Sequence, residues 1–360
     1  MPQCPPRQPG VAPLRAHRVS LRCELSRSQS GRRHLIRNDL DGTRVSNGVG
    51  EAAGRGYLKG AMFGLAAVSI WASWSVITRL TVSTSLDAWD IAALRFGVAG
   101  LLLSPVLMRR GLALDRLGWL GLAILVAGQG APYVLVAAGG LRFAPARDGG
   151  ALNPGCMPLF VALIAALALA EKLSTARKLG LALMLAGALA IVGSNAANWS
   201  ASRIFGDALF LSAAFLSACF TVVMRQARLD PLHTAALVST ASLVIYLPIY
   251  LASQGTRLAQ MPLADFVTQA FFQGVLVTII GVILYGRAVA LLGASAGAAF
   301  GALVPALSAL FAIPLLREWP SETDWLAILL ISAGVVLVSG GPVPGRGGSV
   351  RSTTVPIPRH

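Results

Sequence analysis

Residues 156–174, CMPLFVALIAALALAEKLS, set a proline near the start of an apolar run and a glutamate at its close. Residues 303–321, LVPALSALFAIPLLREWPS, do the same. Pro158 and Pro305 each stand thirteen residues before a glutamate, Glu171 and Glu318, and Ser174 and Ser321 each follow three residues later. In a chain with 15 acids among 360 residues, such a coincidence needs a cause. Setting residue n against n + 147 from Pro158 to Gly193 leaves twelve of thirty-six positions identical without a gap, including Gly187/Gly334 and Gly193/Gly340. Apolar composition alone would not hold proline, glutamate and glycine in register. Upstream, Gly60/Gly206, Leu65/Leu211 and Arg79/Arg225 agree at an offset of 146, and Asp87/Asp230 and Pro105/Pro248 at 143. The chain reads as two copies of one unit.

What the unit is can be taken from composition. Apolar residues make up 55% and charged residues 12%, against roughly 25% charged in an average soluble domain, and mean hydropathy is +0.68. Apolar runs of about 18–25 residues, each long enough to cross a hydrocarbon core of roughly 30 Å as a helix, recur from Tyr57 almost to Gly340. They lack the alternation of a barrel strand, which leaves helices as the spanning structure. Hydropathy and loop breaks predict ten spans, near 58–79, 88–108, 117–139, 146–169, 176–193, 205–227, 231–252, 265–291, 295–316 and 323–340. Ten spans in two copies give five each. Five is odd, so the second copy starts from the opposite side of the membrane, which makes the copies inverted-topology repeats. The expected fold is therefore all-α integral membrane, with a first five-helix repeat at 57–195 and a second at 203–341.

The net charge of +15 sits mostly outside the spans. Residues 1–56 hold ten arginines and four acids among Pro, Gly and Ser, a composition that cannot bury enough apolar surface to fold. A disordered basic extension is expected there, and a disordered tail at 342–360. No apolar run follows the early arginines before Tyr57, so the extension does not read as a signal peptide. The N-terminal extension, Arg109/Arg110/Arg116, Lys172/Arg177/Lys178, Arg225/Arg228 and the C-terminal tail fall on one predicted side, which the lysine and arginine bias makes the cytoplasm. Arg79, Arg142, Arg147, Arg203, Arg257 and Arg317 fall on the other. The reading is a multi-pass cytoplasmic (inner) membrane protein with both termini cytoplasmic, in contact with membrane lipid and with no nucleic acid as partner. Cys4 and Cys23 lie in the extension, Cys156 and Cys219 in apolar helices, and their spacing suits neither a disulfide framework nor a metal.

Four further stretches accompany the two proline-to-glutamate segments: WASWSVITRL (71–80), LRFGVAGLLL (94–103), and the two glycine-ended helices that come after the glutamates. Together, over about Tyr57 to Gly340, they resemble the EamA-like branch of the drug/metabolite transporter superfamily, in which each half is one five-helix unit. The resemblance implies a membrane transporter with a central substrate cavity between its halves. It does not fix a substrate. Arg147-Asp148 depart from it, standing where such proteins look small and apolar, and Val238 stands where a counterpart of Arg95 would be.

Several residues are candidates for the substrate path. GQGAPYVLVAAGG (128–140) interrupts a span with Gly128, Gly130 and Pro132, and puts Gln129 and Tyr133 four apart, on one helix face. A broken helix presenting an amide and a phenol near mid-membrane suits a polar binding site; interhelical hydrogen bonding is the plainer reading. Trp71, Ser73 and Trp74 in the first span and Tyr285 in the eighth are aromatic or hydroxyl candidates. Arg147-Asp148 align with Ala294-Ser295, so that charge belongs to one half alone; it could meet a substrate carboxylate or amine, or lie at headgroup level. Pro158 and Pro305 read as residues inside helices that bend or hinge them. Glu171 and Glu318 meet the negative ends of helix dipoles, and Ser174 and Ser321 can cap the next helices, whose first amides would welcome an anion. A structural role at the tight turns is expected of both glutamates, with proton coupling as the functional alternative. Arg95, two turns into the second span, reads as structural, near Asp90.

No nucleotide-binding or paired-acid motif is present, and no cofactor or metal is implied. GASAG (293–297) matches G-x-S-x-G, with His233 on the same predicted side as Ser295, but the small residues around it suit close helix packing better than a serine hydrolase. The expected function is secondary or facilitative transport, with export favoured, of small metabolites, amino-acid-like or amphipathic, by alternating access and without enzymatic chemistry. A non-transporting membrane scaffold is the alternative from another class. GLALMLAG (180–187) would serve either helix packing or a homodimer, and both readings stay open.

Overall fold

In a computed structural model, the structure describes residues 56–83, 86–168, 174–197, 200–254, 257–293 and 300–338. The chain divides into two units, Met1–Leu58 and Lys59–His360, and the helical body belongs to the second. The N-terminal extension, the C-terminal tail, Glu171 and Ser295 lie outside the described residues.

The described residues are helical and contain no strand. In order they are α1 (Gly56–Ser83), α2 (Ala88–Arg110), α3 (Leu114–Gln129), α4 (Ala131–Phe143), α5 (Ala146–Ala168), α6 (Thr175–Ala197), α7 (Ala201–Gln226), α8 (Pro231–Gln254), α9 (Leu263–Ala270), a π-helical segment (Phe271–Ile280), α10 (Gly281–Leu292), α11 (Val304–Leu316) and α12 (Glu322–Val338). Seven described helices are long and apolar enough to cross a membrane, with α3–α4 counted as one and α9, the π segment and α10 as another. The apolar helix α11 is shorter.

Polar residues mark the starts of these helices. The Asp87 carboxylate accepts from the amides of Trp89 at 3.0 Å and Asp90 at 3.2 Å, and the Asp87 amide donates to the Asp90 carboxylate at 3.0 Å, a reciprocal cap on α2. Ser321 and Asp324 form the same box on α12, at 2.8 and 3.2 Å, as the sequence predicts for Ser321. Ser174 accepts from the Arg177 amide at the start of α6. Gly111, with φ 72°, ends α2. Pro154 and Pro158 lie inside α5. Pro305, by contrast, sits in the first turn of α11, where a missing amide costs nothing and the ring fits the helix start. It therefore does not break a helix interior, which corrects the expectation of a mid-helix bend there.

Lipid supplies no hydrophobic drive between helices, so close backbone contact has to hold them together. α6 packs along α12 and α2 along α8. Between α6 and α12 the two glycines of GLALMLAG are used inside the chain. A Cβ on Gly180 would fall 2.8 Å from the Gly334 carbonyl oxygen, and one on Gly187 would fall 2.7 Å from that of Ala327. As residue numbers rise along α6 they fall along α12, so the pair is antiparallel. The two contacts also exchange positions: 180 + 147 = 327 and 187 + 147 = 334, so each α6 residue meets the repeat partner of the other. Replacing Gly334 with leucine should force α6 from α12 and lower stability by about 1–3 kcal/mol, whereas Gly193→Ala, at a site with open space around it, should not. Thermal unfolding in detergent measures both, and equal melting temperatures would refute this account of the α6–α12 contact.

Candidate functional site

The rod formed by α3 and α4 is interrupted at Gly130, whose φ of −89° and ψ of −153° leave the helix. A broken helix in an apolar setting must have its freed amides satisfied. Here the Ala131 amide donates to Ser242 Oγ of α8 at 3.3 Å. Gln129 Nε2 donates to Ser217 Oγ of α7 at 2.9 Å, and Asn153 Nδ2 of α5 donates to the Tyr133 hydroxyl at 3.0 Å. The break is thus a polar junction of α3–α4 with α5, α7 and α8. Gln129 and Tyr133 do not share one helix face, because the backbone turns between them.

The other irregular rod is α9–α10, whose middle winds as a π-helix. Wide turns of this kind recur at functional sites. Gln273 is fully buried within it. Its Oε1 accepts from Trp74 Nε1 at 2.9 Å, and its Nε2 donates to Thr78 Oγ1 at 3.2 Å, both on α1. Trp71 Nε1 donates to the Val277 carbonyl at 3.3 Å and its ring leans on that of Tyr285, with centroids 5.1 Å apart. Ser73 donates to the Ile70 carbonyl of its own helix. Trp71, Trp74 and Tyr285 therefore come together around the π segment, while the Ser73 hydroxyl is occupied by its own helix.

Sequence reasoning passes over Gln273, although a signal is present. Gln129-Gly130 recurs as Gln273-Gly274, 144 residues on, between the offsets of 143 and 147 already found. Both pairs lie where a rod departs from α geometry. The two glutamines also reach across in a reciprocal way: Gln129 bonds α7, the counterpart of α1, and Gln273 bonds α1.

A third cluster is ionic. Arg203 donates to Asp148 Oδ2 through Nε at 3.1 Å and through a terminal nitrogen at 3.0 Å. Arg147 Nε lies 3.1 Å from Asp324 and 3.6 Å from Asp148, contacts that are ionic without aligned hydrogen bonds. Arg79 Nε lies 3.6 Å from Glu318 and its guanidinium donates to the Leu141 carbonyl. Glu318 Oε2 accepts from the Ala146 amide at 3.0 Å. Three arginines and three acids thus balance one another. Glu318 does face helix amides, as its position suggests, but those of α5 rather than of α12 next in the chain, because α11 ends close to the α4–α5 turn. Arg147 and Asp148 are held by these partners. Beside the cluster, at the same end of α4, a cleft of about 320 Å³ opens between Val82, Asp87, Trp89, Arg142, Phe143 and Gln254.

Away from these clusters, Arg110 bonds Asp230 at 3.0 Å, and Asp230 caps α8 through the His233 amide. Burial pulls the Asp230 carboxyl upward, but the His233 amide and Arg110 outweigh it and hold it below its ordinary value. The His233 ring lies 2.9 Å from the Gly111 carbonyl. Arg95 does not pair with Asp90, whose carboxylate accepts from the Tyr250 hydroxyl at 2.6 Å and from the Asp87 amide. No group of three or more potential metal ligands occurs among the described residues.

Burial raises the Glu318 pKa above its ordinary value and the Arg79 charge offsets this only in part. A carboxyl raised on folding adds stability that is complete below its unfolded pKa of about 4.3 and is lost as pH rises through the folded value. Unfolding of Glu318→Gln should lack this component, so the wild-type melting temperature should fall relative to it as pH rises through that window; parallel curves would exclude it. Arg79→Met, which strands the carboxylate, should cost more than Glu318→Gln, by about 1–3 kcal/mol given the partial exposure of the pair.

Comparison with known proteins adds three findings. A family model, the EamA-like transporter family, matches twice, at residues 58–193 and 204–340. No curated protein matches. A solved structure described as "Crystal structure of protein" is similar with a TM-score of 0.53 and 18% identity, over 78% of this chain and 96% of that one. At that identity the likeness bears on fold alone.

Proposed function

The chain belongs to the EamA-like transporter family, and on that premise we propose that it is a secondary or facilitative transporter that moves small amino-acid-like or amphipathic metabolites by alternating access between two inverted five-helix repeats, at 57–195 and 203–341. The observation that carries this reading is the reciprocal reach of the two Gln-Gly pairs. Each sits where its rod leaves α geometry and binds the first helix of the other half. Irregular backbone at membrane depth is tolerated where it is buried in protein or lines a water-filled path, and both halves place it at the same point. The exchanged contacts of α6 with α12 support the same two-fold relation. Substrate would pass between these points, near Trp71, Trp74, Gln129, Tyr133, Gln273 and Tyr285, with the ionic cluster of Arg147 and Asp148 fastening one end. We place the protein in the cytoplasmic membrane with both termini inside, following the arginine bias of the loops.

The test is a flux assay of purified protein in vesicles of known orientation, against a panel of metabolites, with and without a pH gradient. Export of at least one panel compound is expected, and its response to the gradient separates proton coupling from facilitated movement. Gln129→Leu and Gln273→Leu should each slow that flux by about tenfold, since each strands the hydrogen-bond partner of a glutamine amide, while the protein still purifies as a folded species. Flux unchanged in both would remove the glutamine pair from the mechanism. Cysteine-accessibility mapping that puts the Lys172 and Glu318 turns on one side of the membrane would end the inverted-repeat reading.

A further inference from the structure

Among the described residues, Arg95 stands apart from the other interior charges. The guanidinium lies inside the protein within electrostatic reach of the Tyr133 phenol, and the residue is partly buried. It forms no ion pair or hydrogen bond with the described residues, and its Nε is closed off from solvent without a partner among them. The guanidinium carbon lies over the Phe96 ring, 5.8 Å from its centroid. A charge in an apolar interior costs several kcal/mol unless it is paired. Elsewhere in this chain that cost is met: Arg79, Arg147 and Arg203 all have carboxylates. At Arg95 the described residues supply none.

The surroundings suit an anion. The Tyr133 hydroxyl accepts from Asn153, which leaves its own proton to donate. Val98 and Ala99, one turn further along the same face of α2, are covered by Gly274, where a Cβ would fall 2.6 Å from Val98 Cβ. That glycine follows Gln273. Arg95 thus stands between the two irregular rods, with a phenol donor on one and an amide-bearing π segment on the other.

We propose that Arg95 is the anchor for the carboxylate of the transported substrate, with the Tyr133 hydroxyl as second donor; this deepens the proposed transport function and rests on it. A planar guanidinium takes a carboxylate in paired hydrogen bonds. One unpaired cation balances one negative charge, which favours a monocarboxylate over a phosphate dianion. The rings of Trp71, Trp74 and Tyr285 provide an apolar surface for the body of such a molecule.

The experiment is ligand-induced thermal stabilisation of the full chain in detergent, with phenylacetate and hexanoate as probes against their neutral amides and the corresponding amines, phenethylamine and hexylamine. Wild-type protein should be stabilised by the acids and not by the amides or amines. Arg95→Gln should weaken acid binding at least about tenfold, Arg95→Lys should retain part of it, and Tyr133→Phe should weaken it to a lesser degree. Stabilisation by the amides equal to that by the acids, in wild-type protein alone, overturns the proposal, as does undiminished acid binding in Arg95→Gln. The same probes in the vesicle flux assay separate the two readings. Flux of amines or amides that ignores Arg95 leaves transport standing and removes the carboxylate anchor. Arg95-dependent binding of acids without flux of any compound leaves the anchor and removes transport.

Discussion

In hydrocarbon a backbone amide or carbonyl without a partner has no water to turn to, and the interior of this protein is organised around the places where its helices break that rule. Among the described residues, the α3–α4 rod departs from α geometry at Gly118 and again at Gly130, and the α9–α10 rod through Phe271–Ile280. At Gly130 and in the π segment a neighbouring side chain supplies the missing bond: Ser242 takes the Ala131 amide, and Trp71 takes the Val277 carbonyl. The hydroxyls and rings that do so come from other helices, so each break also fixes how those helices sit. Polar glue of this kind is worth only about 1 kcal/mol per bond within membranes. Its value here lies in specificity, because α1, α5, α7 and α8 have one arrangement that satisfies all of it.

Much of the architecture can be read in the residues. The paired proline and glutamate stretches, the glycines behind them and the hydropathy of the spans point to a duplicated, all-helical membrane protein. The recurring Gly187 and Gly334 prove to be where α6 and α12 touch. What the sequence conceals are relations between residues distant along the chain. Glu318 can be placed at a turn, but that its amide partner is Ala146 depends on where α11 ends in space. Pro305 looks like a kink because apolar residues continue on both sides of it, and only the local chain path puts it in a first turn. Gln129 and Tyr133 share a face only if the helix between them is unbroken, and it is not. Gln273 is hidden in a long apolar run, and no periodicity separates a π turn from an α turn. Arg95 misleads for a related reason: Asp90 is near in sequence, yet its carboxylate is committed to Tyr250 and Asp87.

Charge is handled in two ways. At the end of α4 and the start of α5, arginines and acids cancel within a few ångströms, which makes Arg79, Arg147 and Arg203 electrically silent. The topological bias of lysine and arginine is a count of residues, while the field the folded protein presents is a sum over pairs. The two can differ, and here they do. Deep in the fold the opposite choice is made, and a cation is left without a counter-ion among the described residues.

Where two halves of one molecule exchange conformations, every contact that recurs in the exchanged state drops out of the energy difference between the states. Only contacts that do not recur can tilt the balance. The antiparallel seam of α6 and α12 recurs, since each glycine meets the other's counterpart. Four members of the ionic cluster do not: the positions matching Arg147, Asp148, Arg203 and Asp324 hold Ala294, Ser295, Tyr57 and Arg177. Under alternating access, this unshared latch sets which face of the molecule is shut at rest. A tilt of about 1.4 kcal/mol already means a tenfold difference in occupancy, so the asymmetry between the halves, rather than their likeness, would set the waiting state of the cycle.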